Sequence, residues 1–172
     1  TIGFKEVNNI VLVIGKTEGH IDQSLFARNI LDEINGPPPE INLFNEKNNG
    51  ETLLKLIEKK YIRSAHDISL GGIITALSKM CIKGNKGIQL KKPKFLISEI
   101  EYFFSEDQGR YLIEIKPKDL KDVIKILEKN AVHFDELGTI EDKYMTINEK
   151  TKVTIDELKS YNTNWLINYM SS

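Results

Sequence analysis

Five consecutive apolar residues, Ile10-Val11-Leu12-Val13-Ile14, stopped by Gly15, constrain this chain more than any other feature. An unbroken and largely β-branched run has no polar side to give to solvent, so it predicts a central strand buried on both faces. Such a strand belongs in a sheet covered by other layers.

Helical periodicity supplies those layers. Ala27, Ile30, Leu31 and Ile34 recur at helical spacing, with Asp22 or Ser24 available to cap the start. That helix must end before Gly36-Pro37-Pro38-Pro39, because consecutive prolines lack amide donors and force extended backbone. Asn48 and Glu51, in capping-box register, predict a second helix with Leu53, Leu54, Ile57 and Tyr61 on its apolar face and Lys59-Lys60 at its end. Ile62 to His66 reads as a short strand, and beyond Gly71-Gly72 a third helix carries Ile73, Ala76, Leu77, Met80 and Cys81.

Tyr111 to Ile115 reads as a strand, and Pro117 suits the first turn of a helix with Leu120, Val123, Ile124 and Leu127 on one side. Phe134 to Ile140, Tyr144 to Ile147 and Lys152 to Ile155 read as strands, the last two forming a hairpin across Asn148-Glu149-Lys150. Thr154 and Glu157 open a final helix whose Leu158, Tyr161, Trp165 and Tyr169 are expected to pack on the sheet. Helices interleave with strands early and strands cluster late. The expected fold class is therefore α/β (α+β), a mixed β-sheet flanked by helices, in a single domain over residues 1–172.

Charge excludes some functions. The 24 Lys and Arg nearly cancel 25 Asp and Glu and are scattered along the chain, so bulk charge recruits neither nucleic acid nor an anionic membrane. The longest apolar run is too short to span a bilayer, and no basic segment leads into a signal-like stretch, so a cytoplasmic protein is expected. Cys81 has no disulfide partner and lies in an apolar helical pattern, as an inert thiol in a reducing compartment would.

Two junctions concentrate polar chemistry. In Ser64-Ala65-His66-Asp67-Ile68-Ser69-Leu70-Gly71-Gly72 a strand meets a helix through a glycine pair, where α/β folds place ligands. Gly71 and Gly72 permit close backbone approach, and the helix N-terminus suits an anion such as phosphate. The spacing fits neither a P-loop nor a dinucleotide fingerprint. The plainer reading has Ser69 capping the helix and the glycines turning the chain. His66 is a candidate acid or base, but neighbouring residues on a strand face opposite sides, so a direct His66–Asp67 pair is not expected.

In Phe103-Phe104-Ser105-Glu106-Asp107-Gln108-Gly109-Arg110 the acids could hold magnesium, Gln108 could bond a substrate amide and Arg110 could pair with phosphate. A solvated turn with an internal Glu and Arg pair is the alternative. Neither His20 nor His133 has zinc-ligand spacing.

SAHDISLGG, KMCIKGNKGIQL and FFSEDQGRYLIEI together resemble the C-terminal-type domain of the aminoimidazole ribonucleotide synthetase superfamily, and within it the second such domain of the phosphoribosylformylglycinamidine synthase family. VLVIGKTEGHIDQSLFAR, NGPPPEINL and FDELGTI resemble the same domain, in order, so the likeness covers about the whole chain.

The resemblance implies part of an ATP-dependent carbon–nitrogen ligase of purine biosynthesis. That enzyme converts formylglycinamide ribonucleotide to the amidine with ammonia from glutamine. ATP and magnesium (Mg) are implied as cofactors, held mostly by N-terminal-type domains. Those domains, a glutaminase and a small accessory subunit are the implied partners, and the isolated domain is expected to be inactive.

The candidate set is His66 as the catalytic candidate, Ser69, Gly71, Gly72, Ser105, Gln108 and Arg110 for substrate or phosphate, and Asp67 and Glu106 for metal. Leu70 stands where the family usually has an acid, and Asp22-Gln23 where glycines are commoner, which weakens direct metal or nucleotide binding. Two alternatives remain open: a noncatalytic domain that sustains interdomain contacts, and a superfamily relative acting on another substrate. Both polar connectors are expected to meet at one rim of the fold.

Overall fold

A computed structural model of the chain describes residues 1–91, 97–147 and 151–171. The run Ile10–Ile14 forms β1, in the interior of a seven-stranded sheet. The chain continues through α1 (Leu43–Glu58), β2 (Ile62–Ile68), α2 (Gly72–Gly84), β3 (Gly87–Leu90), α3 (Glu99–Phe104), β4 (Arg110–Ile115), α4 (Leu120–Lys129), β5 (Phe134–Glu141), β6 (Tyr144–Ile147), β7 (Thr151–Thr154) and α5 (Ile155–Ser171). Strand order across the sheet is β2-β4-β1-β5-β3-β6-β7, with every neighbouring pair antiparallel except β3 and β6. The expected mixed sheet is present.

β1 divides its side chains between two cores. Val11 and Val13 join Leu77 and Met80 of α2 and Phe103 of α3, whereas Leu12 and Ile14 join Leu56 of α1 and Leu127 of α4. Helices on both faces bury Val11 to Ile14 and leave Ile10 half-buried, which accounts for the unbroken apolar run.

The helix read over 27–34 is a short π-helical segment, Ala27–Leu31, ended by Asp32 in the left-handed region. Ser24 does supply a cap, its Oγ accepting from the Ala27 amide at 3.1 Å, but Ile30, Leu31 and Ile34 are exposed. α1 begins earlier than expected, at Asn42, whose Oδ1 accepts from the Asn45 amide. Its buried residues are Asn49, Thr52 and Leu56; of the expected face Leu53 and Tyr61 pack, partly buried, on the same core, whereas Leu54 and Ile57 face outward. α2 buries all five expected residues.

The β6–β7 hairpin has its expected pairing, with Asn148, Glu149 and Lys150 outside the described residues. Thr154 and Glu157 form the expected cap of α5. Among the described residues α5 packs on the core at its start, through Ile155 and Leu158, whereas Tyr161, Trp165 and Tyr169 are exposed.

A carboxylate that the sequence reading passed over lies within the sheet. Glu114 of β4 is fully buried and accepts from the Lys5 and Glu6 amides, Asn9 Nδ2 and Ser64 Oγ, which ties the N-terminal segment to β2 and β4. Among the described residues no helix is long and apolar enough to cross a membrane.

Candidate functional site

β1 and β2 run one way and β4, lying between them, runs the other. The exits from Ile14 and Ile68 therefore lie beside the entry to β4, with Ile14 opposite Tyr111 and Ile68 opposite Arg110. This antiparallel arrangement brings both polar connectors to one end of the sheet, together with the loop that follows β1.

Glu106 joins them. Its Oε1 accepts from the Gly71 amide and from the Leu25 amide, each at 2.8 Å. Asp107 holds the loop after β1: Oδ2 accepts from the Glu18 and Gly19 amides at 3.0 and 3.1 Å, and Oδ1 from the His20 amide at 3.2 Å. Three successive backbone amides converging on one carboxylate form a nest, here filled by the protein's own side chain.

Arg110 lies beneath, 1% exposed. Its Nε donates to the Asp107 carbonyl at 3.0 Å, Nη1 to Thr17 Oγ1 at 3.0 Å and Nη2 to the Ser105 carbonyl at 2.8 Å. The Asp107 carboxylate stands 3.7 Å away. Burial pulls the guanidinium pKa down and Asp107 opposes that pull. Three of its N–H donors are thus engaged within the protein, two by the loop that carries it and one by Thr17, which makes Arg110 an internal clamp.

The glycine pair serves the same joint. Gly72 has φ +69°, and a Cβ there would stand 2.6 Å from the Ser105 carbonyl oxygen and 2.7 Å from that of Phe103. The close approach that glycine allows is thus occupied by the neighbouring connector. Gly71, at φ +81°, is the N-cap of α2, so Ser69 does not cap it with its side chain. Ser69 is exposed and contributes its carbonyl to the Gly72 amide. Ser105 is buried, and among the described residues its Oγ has no hydrogen-bond partner.

His66 and Asp67 do pair, contrary to the strand-alternation argument. Nδ1 stands 2.9 Å from Asp67 Oδ1, and the hydrogen bond holds the Asp67 carboxyl below its ordinary range. β2 is an edge strand and Asp67 is exposed, so its short side chain has room to turn back toward the imidazole.

The two acids expected to hold metal have partners within the protein: Glu106 Oε1 accepts from two backbone amides and Asp67 Oδ1 lies against His66 Nδ1. Among the described residues no three His, Cys, Asp or Glu side chains are grouped to hold an ion. These donor sets do not fit magnesium, which needs several oxygens arranged around one point.

A groove of about 830 Å³ opens beside this joint, lined among others by Lys16, Glu18, His20, Asn42, Asn49 and Gln108. Asn49 donates to the Gly109 carbonyl and His20 Nε2 lies 2.9 Å from that of Pro37, so the groove walls are fixed by the same loops. Gln108 is exposed on its rim. His66, Ser69, Gly71 and Gly72 do not line it. The lining carries both signs of charge with amides between them, which suits a polar, uncharged surface better than a polyanion. The local signal for these walls was Gly15 and Gly19 after β1, and the Pro37-Pro38-Pro39 stretch before α1.

Comparison with known proteins agrees with this architecture. Residues 6–148 match the family described as AIR synthase related protein, C-terminal domain. A phosphoribosylformylglycinamidine synthase subunit PurL from Pelagibacter ubique is 67% identical over 172 residues, 100% of this chain and 24% of that protein. PurL from Bartonella bacilliformis is 35% identical over 100% of this chain and 23% of its own length. The chain thus spans about a quarter of the length of these curated relatives. The solved structure described as T. maritima PurL complexed with ATP aligns with a TM-score of 0.67 over 91% of this chain and 26% of its own, at 17% identity, a likeness of fold.

Proposed function

We infer the role of this chain from its family: it belongs to the AIR synthase related proteins, as their C-terminal domain. It acts as one domain of a phosphoribosylformylglycinamidine synthase, the ligase that converts formylglycinamide ribonucleotide to the amidine with ATP and ammonia from glutamine. The observation that carries this reading is 67% identity over the whole chain to a protein of that name. The remaining domains of the synthetase, a glutaminase and a small accessory subunit are its partners. ATP and magnesium are held in the assembled enzyme mostly by its other domains.

Within that enzyme the domain serves as a brace. Glu106, Asp107 and Arg110 are spent on each other and on three loops, so the joint presents a fixed rim to a neighbouring domain. The second reading is direct contact of Gln108, Ser69 or His66 with substrate, favoured by the exposed side chains of Gln108 and Ser69 and by the His66–Asp67 pair, and the variants below decide between it and the brace.

The test uses the full-length synthetase with formylglycinamide ribonucleotide, ATP and ammonia. Amidine formation is expected, with turnover within about threefold of the parent for Gln108→Ala and His66→Ala, since a brace touches no reacting atom. A full-length protein that makes no amidine would refute the enzyme assignment. Loss of turnover in either variant at unchanged stability would instead refute the bracing role and restore direct participation.

A further inference from the structure

We propose that Asn35 is a site of spontaneous covalent modification, cyclising onto Gly36 with loss of ammonia and reopening to aspartate or isoaspartate, which loosens one wall of the groove. An asparagine reacts in this way when the next residue's amide nitrogen can reach its carboxamide carbon, and glycine, with no Cβ, leaves that approach open. The sequence holds two such pairs, Asn35-Gly36 and Asn49-Gly50. Their surroundings set them apart.

Asn35 and Gly36 are exposed and lie between the π-helical segment and α1, in a stretch that is neither helix nor strand. Among the described residues neither the Asn35 carboxamide nor the Gly36 amide has a hydrogen-bond partner, so the Gly36 nitrogen is free to turn toward Asn35 Cγ. Asn49 is the contrast within the same chain. It is 8% exposed in α1, and its Nδ2 donates to the Gly109 carbonyl at 3.0 Å. Helical hydrogen bonding aligns the Gly50 amide with the axis of α1 and keeps it from Asn49 Cγ.

In the first step the Gly36 nitrogen attacks Asn35 Cγ: a C–N bond forms, the Cγ–Nδ2 bond breaks, and ammonia leaves with the Gly36 amide proton. Water then adds to either carbonyl of the cyclic imide. Opening at Cγ gives aspartate; opening at the main-chain carbon gives isoaspartate, with one more methylene in the backbone. Either product carries a carboxylate that is ionised at neutral pH. The charge arrives next to Gly36, where the Asp22 carboxylate already occupies the place a side chain would take, and like charges repel. The loop is tied down by Gln23 Nε2, which donates to the Gly36 carbonyl at 3.1 Å, and by His20 Nε2, 2.9 Å from the Pro37 carbonyl. Both contacts lie within two residues of the new charge, and His20 lines the groove.

The full-length protein that carries this chain is aged at pH 8 and digested, and its peptides are followed by mass spectrometry with fragmentation to locate the change. Asn35 should gain about 1 Da at least tenfold faster than Asn49, since attack at Asn49 must wait for α1 to open locally. Isoaspartyl methyltransferase should label the Asn35 peptide of the aged parent and not its counterpart from Asn35→Ser. Hydrogen exchange over residues 20–39 should quicken in the aged parent and stay unchanged in aged Asn35→Ser. An intact Asn35, or equal conversion of Asn35 and Asn49, would overturn the modification. Conversion with unchanged exchange over residues 20–39 would overturn the loosening of the groove wall.

Discussion

Replacing Asp107 by Asn keeps the side chain's size, removes its charge and turns one acceptor into a donor. In the parent, Oδ2 takes two amides and Oδ1 takes the third. With the amide oxygen at the Oδ2 position only the His20 bond is lost; the opposite rotamer loses both the Glu18 and Gly19 bonds. The better arrangement thus loses one hydrogen bond to a charged acceptor, about 1.5–3 kcal/mol. Arg110, at 3.7 Å, also loses its nearest carboxylate while its three hydrogen bonds survive. Breaking a buried pair from one side costs about 3–5 kcal/mol, and the retained bonds place the total for this variant near that range rather than above it.

At about 2–4 °C per kcal/mol for a domain of this size, the midpoint falls by roughly 6–20 °C. Urea unfolding and a thermal melt, both followed by far-UV circular dichroism, measure the change. A loss below about 1 kcal/mol would mean that water substitutes for the carboxylate, and the brace argued here would not exist.

Gly72→Ala should destabilise by more than about 2 kcal/mol, since φ +69° costs an L-residue about 1–2 kcal/mol before its methyl meets the Ser105 carbonyl; a neutral effect in denaturant melts would refute the close approach of the two connectors. Burial raises the Asp135 carboxyl pKa, against the opposing pull of His133. A raised folded value means the fold binds the extra proton, so this contribution is present below the unfolded pKa and lost as pH rises through the folded one. Asp135→Asn should therefore gain stability over the parent at pH 7, with the gain vanishing below about pH 4, near the ordinary carboxylate value; an unchanged or lowered midpoint at pH 7 counts against it. Burial pushes the Cys81 thiol up to about 12, so a thiol reagent at pH 8 should label it only after unfolding; rapid labelling of the native chain would contradict the packing of α2.

The order of elements was largely readable from the residues. β1, the buried face of α2, the strand at Tyr111 and the cap at Thr154 and Glu157 each rest on a local pattern, and local patterns survive folding. The resemblance drawn from SAHDISLGG and FFSEDQGRYLIEI led to the family that residues 6–148 match. Two short elements escaped: β3 has only four residues and pairs in parallel with β6 across a long separation, and α3 has six, marked only by the capping box of Ser98 and Glu101.

The amino-acid sequence by itself determined where the chain can be strand or helix and which side chains are rich enough in polar atoms to do chemistry. Only the tertiary structure decided what those atoms are used for. Glu106 meets Leu25 across 81 positions and Asp107 meets Glu18 across 89, so no local spacing could reveal that both carboxylates accept from backbone amides. The stripe on α5 has the same logic in reverse. Its periodicity identifies an apolar face, but a helix longer than the surface beneath it leaves part of that face in solvent, and only packing fixes where the surface stops.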